Sequence, residues 1–171
     1  MVPTLSLRIC RADYANPVHA AALVSLLDAY AQDPMGGGEP LSEFARVNLI
    51  PALAARPQFF SVLAFDDADG FGTGLAIGLV NCIEGFSTFA CRPLVNMHDV
   101  AVLPAYRGKR VAEKMLALAE DVARERGACK LTLEVLQGNA GAIKLYHRVG
   151  FDSYELDPAI GQAQFLQKWL R

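Results

Sequence analysis

Residues 100–112, VAVLPAYRGKRVA, decide the reading of this chain. An apolar strand ends at Val102, turns at Pro104 and passes through a glycine into a basic helix start. Backbone N–H groups at a helix start have no partner within the helix, and the aligned peptide dipoles add partial positive charge there, so the arrangement suits a pyrophosphate. Arg107, Lys109 and Arg110 add full positive charges. A strand, turn and cationic helix start is also plain architecture in α/β proteins, so the stretch needs support from elsewhere in the chain.

The 171 residues are 53% hydrophobic and no Ser/Pro/Gly-rich linker divides them, which predicts a single domain over 1–171 with a substantial core. A net charge of -2 and a pI near 5.9 argue against broad electrostatic capture of nucleic acid. Cys10, Cys82, Cys91 and Cys129 are widely spaced without CxxC or Cys/His clustering, so buried reduced thiols are expected, with no metal site and no disulfide framework. No basic leader precedes a sustained apolar segment, and Gly, Asn or charge interrupts the longer apolar runs; a soluble cytoplasmic protein without a membrane partner is the expectation.

Working outward, Leu5 to Cys10 alternates as a half-buried strand. Asn16-Pro17 caps and opens a helix through Tyr30, with Ala21, Leu23, Leu26 and Leu27 at helical spacing. Residues 35–40, MGGGEP, read as a mobile loop, and Ser42-Glu43 opens a second helix to about Ala55 that Pro51 kinks or divides. Phe59 to Phe65 and Thr73 to Ile83 flank an Asp/Gly-rich turn as a β-hairpin, followed by a connection over Glu84 to Pro93. Leu94 to Val102 is a further strand, with His98 and Asp99 unexpectedly polar in its middle. A helix from Arg107 to Arg126 ends at Gly127; a strand covers Lys130 to Leu136, a helix runs from Asn139 to Gly150, and strands close the chain at Phe151–Leu156 and Gln162–Leu170. The fold class is α/β: a mixed β-sheet with helices on both faces.

Two separated motifs now coincide. Residues 102–112, VLPAYRGKRVA, look like V-x-P-x-Y-R-G-x-G-x-G/A, and residues 139–151, NAGAIKLYHRVGF, look like N-x-x-A-x-x-L-Y-x-x-x-G-F. In both, the chain resembles the Gcn5-related N-acetyltransferases (GNAT), which move acetyl from acetyl-CoA to an amine. The resemblance implies the acyl-CoA N-acyltransferase fold. It implies that the backbone of Val100, Ala101 and Val102 faces the pantetheine arm, that amides of Arg107, Gly108, Lys109, Arg110, Val111 and Ala112 hold the pyrophosphate, and that Asn139 hydrogen-bonds the arm. One position departs from the family, which has glycine where Arg110 stands. Arg110 is expected within the first helical turn, where an L-residue costs little.

An attacking amine must lose a proton, an oxyanion needs a donor, and a departing thiolate benefits from an acid. By resemblance, a backbone amide near Ala101 is the donor and Tyr146 is the acid, also beside the cofactor; a core tyrosine and a mere N-cap are the structural alternatives for Tyr146 and Asn139. The base stays open between Glu134, as in the ribosomal-protein alanine acetyltransferases, and His98, where polyamine acetyltransferases carry a glutamate. Asp99, a water chain and the weaker Glu84 stand behind them. Acceptor choice is expected from residues 35–39 and 84–92, with Glu39, Glu43 and Glu84 suited to a cationic amine. The resemblance also suggests a homodimer through the last strands. A non-catalytic CoA-binding module of the same fold is the alternative function, and a dinucleotide-binding oxidoreductase lacks its glycine fingerprint.

Overall fold

The computed structural model describes residues 5–68, 74–154, 159 and 164–170. It divides into two compact units, Met1–Leu136 and Gln137–Arg171, each taken by itself.

The first unit is a five-stranded sheet in the order β1 (Leu7–Arg11), β2 (Phe59–Asp66), β3 (Leu75–Ser87), β4 (Arg92–Val102), β5 (Leu131–Leu133). Neighbours are antiparallel except β4 and β5, which run parallel. Helices α1 (Pro17–Gln32) and α2 (Glu43–Ala54) cover one face. There Ala22, Leu23, Leu26 and Leu53 close over Leu63, Phe65 and Leu79. Helix α3 (Val111–Glu125) covers the other, burying Val111, Met115, Leu116, Ala119, Val122 and Ala123 as one stripe. Gly78 faces that helix: a Cβ there would meet Met115 Cε at 2.8 Å.

Local signals end the helices as expected. Asn16 accepts from the N–H groups of Val18 and His19, Ser42 Oγ accepts from Ala45 N–H, and Gly127, at φ 74, closes α3 with Ala128 N–H on Ala123 C=O. Pro51 neither divides nor ends α2; it lies in the last turn, where one missing N–H leaves the ladder nearly intact.

Several boundaries move. The connection after β3 is only 88–91, because Gly85, Phe86 and Ser87 continue the ladder against Leu94, Pro93 and Arg92. Cys91, at φ 49, closes this hairpin. It is exposed, Cys10 and Cys129 are half-buried, and only Cys82 is fully buried, its thiol pushed up to about 12 by burial; all four are free. The strand at Lys130 to Leu136 shrinks to three residues. In the second unit, α4 (Ala140–Arg148) ends at Gly150, φ 96, but residues 151–154 and 164–170 form no strand. Alternation marks two faces without supplying a neighbouring strand, and the rest of both expected strands lies outside the described residues. Among the described residues no helix is long and apolar enough to cross a membrane, and no cluster of three metal-ligating side chains occurs.

Candidate active site

The β4–β5 ladder runs Val95↔Leu131, Asn96↔Thr132, Met97↔Leu133 and stops, whereas β4 continues to Val102. From His98 onward the β5-side edge of β4 therefore has no strand beside it among the described residues. Alternate residues of a strand turn N–H and C=O to each edge: Leu103 N–H bonds Ile77 C=O on the β3 side, so Ala101, two residues before it and opposite Leu79, also faces β3, contrary to its expected place beside a ligand arm, and the backbone groups of Val100 and Val102 face the open edge.

The ladder ends at a bulge. On the other side of β4, Asn81 pairs with Asp99 and Cys82 with Met97, so His98 is the extra residue. Its ring is exposed. Asp99 is half-buried and accepts from Asn81 Nδ2 at 2.9 Å, which places its carboxylate on the α1 side of the sheet. Burial first, then the charges of Asp99 and Asp33, push the phenol of Tyr30 on α1 above its ordinary range.

Glu134 lies one residue past β5, exposed, with both oxygens on Asn96 Nδ2 at 3.3 and 3.2 Å. Glu84 is elsewhere. It is bound to Arg126 at 3.0 Å at the far end of α3, and Arg126 stacks 4.8 Å over the Phe60 ring and donates to Pro57 C=O. Alternation along β3 sets Glu84 opposite Asn81, so it does not join Asp99. Phe86 and Phe89 are exposed near the hairpin tip.

Beyond the open edge the expected helix start is replaced by a turn. A short 3₁₀ segment covers Pro104–Tyr106, Arg107 is extended, Gly108 has φ 76, and Arg110 has φ 59 and ψ 21. Two left-handed residues cannot propagate a right-handed helix, so α3 begins at Val111. Arg110 thus adopts the conformation that favours glycine, against the helical expectation. Successive N–H groups in a turn of mixed handedness form an anion-binding concavity. No side chain caps the first turn of α3, and Lys109 Nζ sits 4.9 Å above the Tyr106 ring. The Arg107 side chain is used structurally: Nε donates to Val102 C=O at 3.1 Å and Nη2 to Asp33 Oδ2 at 2.7 Å. That guanidinium, then the Met35 N–H, holds the Asp33 carboxyl below its usual range.

The strain at Arg110 carries an expected result. A left-handed L-residue costs roughly 1–2 kcal/mol, and a flexible glycine returns part of this in chain entropy, so Arg110→Gly stabilises the protein by about 1 kcal/mol. Thermal melting without ligand should rise by about 3 °C; an unchanged or lower midpoint removes the strain argument.

In the second unit, Asn139 is the N-cap of α4 and its Oδ1 accepts from Ala142 N–H at 3.2 Å, an interaction that does not use the side-chain NH₂. Tyr146 is buried, with its ring edge-on to Phe151 at 5.9 Å.

Reading the sequence for polar residues in apolar strands found His98 and Asp99 but passed over Ser61 and Asn81, which carry the same signal. The pairing of Asp33 with Arg107 had no sequence signal, since 74 residues separate them.

The family model described as "Acetyltransferase (GNAT) family" matches residues 23–151. Streptothricin acetyltransferase of Streptomyces lavendulae is 39% identical over 100 residues, 57% of this chain and 52% of that protein. The chain spans about half the length of the curated relatives it matches. The crystal structure of a probable acetyltransferase superposes with a TM-score of 0.77 at 22% identity, over 96% of this chain and 99% of that one. AAC(6')-Iy in complex with the bisubstrate analogue CoA-S-monomethyl-acetylneamine gives 0.73 at 18%, over 96% and 99%.

Proposed function

The chain belongs to the acetyltransferase (GNAT) family, and from that premise we propose that it transfers acetyl from acetyl-CoA to a primary amine of a small molecule or peptide by direct attack on the thioester. The observation that carries the reading is the coincidence at His98–Asp99: the β4–β5 ladder ends, the strand bulges, and a carboxylate stands at the start of an open edge leading to the cationic turn.

Bound acetyl-CoA supplies the activated acetyl group. The features of this chain suit it: Val100 and Val102 offer backbone partners to the arm, and the turn from Gly108 to Ala112 offers N–H groups and two cations, Lys109 and Arg110, to the pyrophosphate, the Arg107 N–H being spent on Pro104 C=O at 3.2 Å. Asp99 takes the proton from the acceptor nitrogen, directly or through one water, and a backbone N–H near Ala101 donates to the developing oxyanion. His98, exposed beside Asp99, is the competing base, and Glu134, exposed with both oxygens within reach of the Asn96 amide, the next. Tyr146 delivers a proton to the departing sulfur and Asn139 holds the arm, roles that rest on the motif resemblance. Tyr146→Phe should lower kcat by about tenfold with acetyl-CoA affinity kept. The effect is below the usual 10²–10⁴ range because a thiol of pKa about 8.5 leaves as thiolate at small cost. An unchanged kcat removes Tyr146 from that role.

Thiol release from acetyl-CoA over streptothricin, aminoglycosides, polyamines, amino acids and N-terminal peptides tests the function. Turnover with one class supports it and names the acceptor. CoA binding with no turnover on any of them favours the non-catalytic CoA-binding module.

A further inference from the structure

Ser61, 1% exposed, and Asn81, 5% exposed, are the two buried polar residues among the described ones. They sit on neighbouring strands in a core otherwise built from Val62, Leu63, Leu79 and Val80. Burying hydroxyl and amide groups is unfavourable unless every partner is supplied, and an apolar pair of similar shape serves packing as well. Packing therefore does not account for them.

Their hydrogen bonds have a single direction. Asn81 Nδ2 donates to Asp99 Oδ2 at 2.9 Å, and because a carboxylate only accepts, the amide is held with Oδ1 turned toward Ser61. Ser61 spends its one hydroxyl hydrogen on Asn81 Oδ1 at 2.6 Å. Its oxygen, 3.0 Å from Tyr14 Oη, must then accept from the tyrosine. Every donor points along Tyr14, Ser61, Asn81 toward the carboxylate, across β2, β3 and β4. Bonds aligned this way polarise one another, and the charge at the end favours each of them.

We infer that Tyr14, Ser61 and Asn81 form a positioning chain that holds the Asp99 carboxylate in one orientation at the β4 bulge, leaving its second oxygen for the acceptor amine. The inference rests on Asp99 being the base. A bulge frees its residues from the regular pleat, so a side chain there needs an outside support to keep one direction. Asn81 supplies it from the strand opposite, and Ser61 and Tyr14 prevent the amide from turning over.

The test is a mutant cycle read by kcat and KM. Asn81→Leu, which keeps the heavy-atom branching but has neither donor nor acceptor, should lower kcat about 10- to 100-fold with the KM for acetyl-CoA unchanged. In an Asp99→Asn background the same substitution should cause no further loss, because its effect passes through that carboxylate. Ser61→Ala, a smaller change that keeps Asn81, should lower kcat several-fold and likewise lose its effect in that background; it decides the matter if Asn81→Leu does not fold. Losses that multiply with Asp99→Asn, or a kcat unchanged in both single variants, overturn the chain while leaving Asp99 as base. Asp99→Asn acting at the wild-type rate overturns the base assignment, and the chain with it.

Discussion

Asp99→Asn is expected to reduce kcat by about 10²- to 10⁴-fold, the range for loss of a positioned general base. The change is nearly isosteric, and the new amide oxygen still accepts the Asn81 hydrogen bond, so fold and CoA affinity should persist. What disappears is an acceptor for the proton that the amine must release. The defect should shrink as pH rises toward the amine's own pKa, about 10.4 for a lysine-like group, because deprotonation in bulk water then replaces the lost step. His98→Gln and Glu134→Gln, measured alongside, should stay within a few-fold of wild type. A large loss in either, with Asp99→Asn nearly intact, transfers the role to that residue.

Leu23→Ala should destabilise the protein by about 3 kcal/mol, within the 2–5 kcal/mol cost of truncating a buried leucine. Leu23 is fully buried, and it joins α1 to Leu63, Phe65 and Leu79 of the sheet. Removing it leaves a cavity that the sheet cannot fill, because β2 and β3 are held by ladders on both sides. A chain of this length should lose roughly 6–12 °C in melting midpoint. Val47→Ala, on the exposed face of α2, should change stability by less than about 0.5 kcal/mol and serves as the control. Because α1 leads into Asp33, which is paired with Arg107 of the turn before α3, the Leu23 variant should also lose turnover before it unfolds. A stability loss below about 1 kcal/mol argues that α1 is not anchored through this side chain.

Much of the architecture is written in short-range signals. Asn16-Pro17, Ser42, Gly127 and Gly150 mark helix ends through capping and left-handed φ, the stripe of α3 reads directly as a buried face, and the two motifs identify the family. These depend on residues within about one helical turn or one strand pair, and the local chemistry suffices. Arg110 shows the boundary: its cation and its place in the motif are legible, but its left-handed conformation is decided by how the turn after Tyr106 must close onto α3.

What the tertiary structure alone decided is where polar groups meet. Glu84 suited an acceptor cleft by type, yet the register of β3 turns it to Arg126 on the opposite face. His98 and Asp99 were equal oddities of one strand until the bulge separated them, leaving the first exposed and giving the second a partner in Asn81. Tyr14, Ser61, Asn81 and Asp99 span 85 residues of chain and meet only because three strands pair in one register. A one-residue slip of β3 would send Asn81 to the other face and break the chain of donors. Sequence patterns fix which face a residue prefers, whereas register, a sum over many cross-strand contacts, selects the partner it finds there.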